Sequence, residues 1–203
     1  MAEKIIIVLK FVFAALLLPL VIGTVLALRG EVAQFDAALQ NALYAGTLAY
    51  VVMKFFIYDL DVVYKFGQSI VGFCFQFLKP VMNFAPYVIP VYTLIGIVVY
   101  AIIHATGVIG GREPLGLILI GAIAFTFAMH IILTAQDLYK KDTIPAKPNY
   151  FFAMSLIFIV DVFFMALLMG LAGKGFSFVS FFQKLGGASA QIYMAVFKQL
   201  FGV

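Results

Sequence analysis

Five long apolar runs, at residues 11–28, 37–57, 87–108, 115–133 and 150–172, decide what this chain can fold into. A helix needs about 20 apolar residues to cross a bilayer, and inside the hydrocarbon every backbone N–H and C=O must be satisfied within the protein. Repeated runs of that length predict an all-α fold, a polytopic helical bundle with five transmembrane helices. Composition agrees. The chain is 65% hydrophobic and 11% charged, whereas soluble domains carry about 25% charged residues. Residues 1–203 therefore form a single membrane domain whose first partner is the lipid bilayer. The net charge of +4 is scattered over separate gaps, with no clustered basic face for nucleic acid.

Cys74 is the single cysteine, so cysteine usage says nothing of the compartment. Asn41, Asn83 and Asn149 are not followed by the Ser/Thr of a glycosylation sequon. The first 27 residues fit a signal peptide cleaved after Ala27, but the long apolar run favours a retained anchor.

Lysine and arginine set the expected orientation, because cytoplasmic loops hold the excess. Lys4, Lys10, Lys54, Lys65, Lys79, Lys140, Lys141 and Lys147 fall on one side, and Arg29, Arg112, Lys174, Lys184 and Lys198 on the other. The first side is expected to be cytoplasmic in an inner membrane. That puts the N-terminus inside and the C-terminus outside. Tyr58, Tyr64, Tyr87, Tyr92, Tyr139 and Tyr150 gather at the same inner boundary as an aromatic belt.

Two further segments, 61–84 and 176–201, are amphipathic. In the first, Asp61, Lys65, Gln68, Gly72, Gln76, Lys79 and Asn83 form a polar or small stripe opposite Phe66, Ile70, Phe73 and Phe77. In the second, Ser177, Lys184, Gln191 and Lys198 recur at seven-residue steps beside Phe178, Phe181 and Phe182. A narrow polar stripe and a wide apolar face predict amphipathic interfacial helices, lying in the membrane boundary or against other hydrophobic helices or partner subunits, with buried phenylalanine faces. A sixth span through 61–84, lined by Gln68 and Gln76, is the alternative for the first segment.

Asp161 stands at the centre of the last apolar run. A carboxylate at that depth costs a few kcal/mol on insertion scales and normally faces protein or water. Two readings stay open: a proton- or ion-handling group, or a clamp hydrogen-bonding to Thr126, Ser155 or a partner chain. His130 and His104, the only histidines, lie in the fourth and third runs, so a relay His104–Asp161–His130 can be drawn. No metal site is expected from them, since no ligand pair has helical i, i+3 or i, i+4 spacing.

Small residues recur at Ala38, Ala42 and Gly46, and again at Ala124 and Ala128. Four-residue steps of this kind let helix backbones approach closely in lipid. Catalytic motifs are absent: there is no HExxH, no GxSxG and no Walker loop, since GVIGGREP lacks the Lys-Ser/Thr that phosphate needs. No catalytic residue and no cofactor is expected. The sequence thus predicts a non-catalytic integral subunit of a larger inner-membrane assembly for transport, secretion or energy coupling, with unlike membrane subunits as partners. The alternative is a small proton- or ion-coupled transporter or channel using Asp161.

Overall fold

The computed structural model describes residues 2–78, 83–107, 114–144, 147–172 and 176–202. Lys79, Arg112 and Lys174, which entered the charge bias, lie outside these. The described residues are almost all helical, with no strand among them. In order they form α1 (Ala2–Val32), α2 (Ala37–Val52, prolonged by a π-turn at Met53–Ile57), α3 (Asp61–Cys74), a short α4 (Ala85–Val88), α5 (Val91–Ala105), α6 (Pro114–Lys141), α7 (Pro148–Ala172) and α8 (Phe178–Phe201).

Three of these, Lys4–Val32 in α1, Pro114–Lys141 and Pro148–Leu171 in α7, are long and apolar enough to cross a membrane. Such lengths and compositions fit a membrane-embedded helical protein. Two expected spans are built differently. Residues 37–57 are helical throughout, but the α-helix stops at Val52 and a π-turn finishes it. Residues 87–108 are broken at Ile89–Pro90, so only Val91–Ala105 is regular helix. At 1.5 Å per residue α5 is about 22 Å long, short of the roughly 30 Å hydrocarbon core.

Helix pairing is largely antiparallel. Asp36 caps α2, accepting from the Leu39 N–H at 2.9 Å. From there α2 descends along α6, and the two backbones touch: a methyl built on Gly46 would lie 2.0 Å from the Gly121 carbonyl oxygen. Of the predicted small-residue stripe, Gly46, Ala124 and Ala128 are buried, Ala42 is half-buried with its carbonyl over Gly121, and Ala38 is exposed off the contact. Opposite them α5 rises along α6, joined by the hydroxyls of Thr93 and Thr126 at 3.3 Å. An apolar core of Ile97, Tyr100, Ile120, Ile123, Met165, Leu168 and Met169 fills the space between α5, α6 and α7.

The C-terminal amphipathic segment lies against another helix, one of the placements expected for it. α8 runs lengthwise down α1 in the opposite direction. Lys184 Nζ donates to Glu31 Oε1 at 2.7 Å and Ser180 donates to the same oxygen at 2.9 Å. Ser189 packs so closely on Gly23 that a methyl there would meet its Oγ at 2.1 Å. Farther along, the Tyr193 hydroxyl donates to the Leu16 carbonyl, in the turn that Pro19 weakens by lacking an N–H. The C-terminal turns of α8 therefore head towards the end of the bundle where α1 begins. Its expected apolar burial holds at Phe181, which is fully buried against Ala27 and Val162.

The first amphipathic segment turns a different face inward than its stripe implied. Tyr64, Gly67 and Val71 are buried, while Phe66 and Phe73 are 64% and 71% exposed. Glycine matters here, because Gly67 lets the Tyr92 ring come within 2.6 Å of where a methyl would stand.

Candidate functional site

Asp161 is fully buried in the middle of α7, and neither carboxyl oxygen has a hydrogen-bond partner. Its nearest titratable neighbour is His130 of α6, with Nε2 3.6 Å from Oδ2. That same nitrogen lies 3.1 Å from the Tyr87 carbonyl oxygen. A carbonyl only accepts, so Nε2 carries the hydrogen and the ring is held as donor. Thr126 donates to the Ile123 carbonyl and Ser155 to that of Phe151. The expected clamp from Asp161 to either hydroxyl is therefore not formed.

Of the three residues drawn as a relay, the structure brings two together. His130 and Asp161 meet, but His104 is exposed at the other end of α5, stacked on Tyr100 with ring centroids 5.8 Å apart. Between that end and Asp161 lies the apolar core of Tyr100, Ile120, Met165 and Leu168. Towards the basic end the surroundings are polar. Thr126, His130, Thr134, Asp137 and Lys141 follow one face of α6 at steps of three or four residues. Tyr64 shares a hydrogen bond with Thr134 at 2.8 Å and accepts one from Gln68 Nε2 at 2.7 Å. Tyr87 donates to Asp137 Oδ2 at 3.0 Å, and Lys141 reaches the same oxygen at 3.0 Å. A recess lined by Tyr64, Gln68, Thr126 and His130 has room at its centre for about one water. Asp137 and Tyr87 had no sequence signal linking them to this site. A polar ladder at helical spacing on α6 was the one available clue.

The loop that holds this end together is also polar. Asp142 is buried and accepts from the Tyr150 N–H at 2.9 Å and the Ile144 N–H at 3.2 Å. Burial alone pushes its carboxyl up, but these amides and Asn149 outweigh it and hold the group below the usual range. Asn149 in turn accepts from Lys10 Nζ at 2.7 Å, tying α1 to the start of α7. Nearby, the Lys54 ammonium, 2.6 Å away, holds the Asp59 carboxyl low where the π-turn ends.

Among the described residues no group of three or more His, Cys, Asp or Glu could hold a metal ion. The site is thus a buried carboxyl–imidazole pair, open through polar side chains to one end of an all-helical bundle. No family model, curated protein or solved structure matches the chain.

Proposed function

We propose that this protein is a non-catalytic integral inner-membrane subunit that anchors unlike membrane subunits of a larger assembly. The observation that carries the reading is the outward face of α3, where Val62, Phe66 and Phe73 stand exposed at the basic end and nothing in the described chain covers them. A cluster of large apolar side chains at a membrane boundary is the form a helix-docking surface takes. A photo-crosslinking residue at Phe66 should capture an unlike chain of fixed mass from native membranes. The same probe at Val98, exposed on α5, should capture lipid only. Lipid or self-adducts alone from position 66 would remove the reading.

We also propose that α8 crosses the membrane beside α1, although it is less apolar than the three helices long enough to span. The antiparallel course of α8 along α1 supports a crossing by α8 in addition to the five runs read from the sequence. Lys198 then joins Lys4 and Lys10, leaving Arg29, Arg112, Lys174 and Lys184 on the far side, where Glu31 neutralises Lys184. The positive-inside bias becomes stronger, and the C-terminus moves from the expected outer face to the cytoplasmic one. In a Cys74→Ala background, single cysteines at Lys141 and Lys198 should label from one face and a cysteine at Arg29 from the other. Opposite faces for positions 141 and 198 would restore the five-span topology.

The second reading, proton coupling through Asp161, is favoured by its proximity to His130. A lone buried carboxylate is costly unless paired, and His130 is the group placed to pair with it. Polar groups lead from the pair to the basic end only, and the apolar core beyond it closes a through-path in this conformation. Asp161→Asn keeps the shape and removes the titration. In proteoliposomes under a pH gradient, the subunit reading expects no proton flux in either protein. Proton flux in the parent that disappears in Asp161→Asn would make coupling the main function.

A further inference from the structure

Two cavities on the flank of the bundle join into one elongated groove. The deeper is an apolar cleft of about 300 Å³, partly open, between α1, α2, α6 and α7, walled by residues such as Leu43, Ala128, Phe158 and Met165. The outer is a wider, shallower hollow of about 620 Å³ at the basic end, bounded by Lys54, Asp59, Tyr139 and Lys140. Ile131 and Ile132 line both, so the two are continuous along α6. From Lys140 to Ala124 the groove follows α6 for about 24 Å at 1.5 Å per residue.

The two parts differ as the two parts of an amphiphile do. The cleft offers almost no polar surface, although Thr47 and Tyr44 stand on its rim. The mouth holds two ammonium groups and one carboxylate. Lys54 is paired with Asp59 at 2.6 Å, while Lys140 is exposed and has no carboxylate partner among the described residues. The mouth therefore keeps a net positive charge at the level where lipid headgroups lie. We infer that this groove is a specific site for one anionic phospholipid, its phosphate at Lys140 and Lys54 and an acyl chain in the cleft beside Ala128. The site rests on the membrane placement of the bundle and is independent of the subunit reading.

Charge complementarity decides between occupants. A neutral lipid would leave Lys140 uncompensated, and an apolar partner helix would bury that exposed ammonium at its end. The width also suits a small molecule, since ligand sites occupy about 300–1,000 Å³.

The test uses the full chain reconstituted in vesicles of equal phosphatidylglycerol and phosphatidylcholine, extracted in mild detergent, with retained lipid counted by native mass spectrometry. Phosphatidylglycerol should be retained over phosphatidylcholine by about fivefold, the bias one ammonium confers near anionic lipid. Lys54→Gln with Lys140→Gln should erase the preference, whereas Lys65→Gln on α3 should leave it unchanged. Ala128→Phe should fill the cleft and release lipid of either headgroup. Should that variant fail to fold, Thr47→Phe on the exposed rim gives the same readout. Equal retention of both lipids by the parent protein, or an unchanged preference in the double lysine variant, overturns the proposal.

Discussion

Gly46→Leu should lose the folded monomer in detergent, because the residue sits where α2 and α6 touch backbone to backbone. A single methyl at this position would already lie 2.0 Å from the Gly121 carbonyl oxygen. Neither backbone can yield like a flexible side chain, so the helices must part. Gly46→Ala should cost about 1–3 kcal/mol, the usual range for overpacking. Leucine should cost more and remove the cooperative melt followed by circular dichroism. Gly186→Ala supplies the contrast. Nothing lies within 4 Å of a methyl there, so helix propensity alone acts, and alanine should stabilise by up to about 1 kcal/mol. Equal melting temperatures for Gly46→Leu and the parent would mean that α2 does not pack on α6 as described.

Lys184→Met should be the most damaging change on α8. Glu31 is 1% exposed, and its second oxygen already lacks a partner. Removing the ammonium leaves Ser180 as the remaining side-chain donor to that carboxylate. Stranding one partner of a buried pair costs about 3–5 kcal/mol; with the Lys184 head a third exposed, the low end applies. The melt should fall accordingly, and trypsin should cut at Lys198 once α8 leaves α1. Adding Glu31→Gln removes the stranded charge and should recover most of the loss. A double variant no more stable than Lys184→Met alone would show that the pair contributes through packing and not through charge.

These contacts mark where sequence reading ends. Apolar run length located residues 37–57 and 150–172 closely, because hydrophobicity is a property of each residue. It did not locate helix ends. α6 continues two turns beyond residue 133, since Thr134, Gln136 and Asp137 are polar and still helical. The step of seven residues through Lys184 and Lys198 marks a narrow polar stripe. Its first lysine meets an acid 153 positions away, and no local pattern carries that information. The same holds for the site. The mid-run position of Asp161, and that of His130 towards the inner end of its run, were legible. That their helix faces meet, while His104 turns to the opposite end, depends on how α5, α6 and α7 rotate against one another. Small residues signalled close packing at Gly46, but Gly23 pairs with a serine that has no repeat around it.

The distance in sequence between Glu31 and Lys184 has a consequence for synthesis. Chains elongate at about 5–20 residues per second, so roughly 8–30 s pass between the making of α1 and the arrival of its partner lysine. For most of that interval α1 has neither α7 nor α8 to pack against, while α2 and α6 can pair before either is made. Its carboxylate and the bare backbone at Gly23 must be sheltered by lipid headgroups, water or the insertion machinery. α1 thus docks late, and the bundle closes along α1 only once α7 and α8 are made.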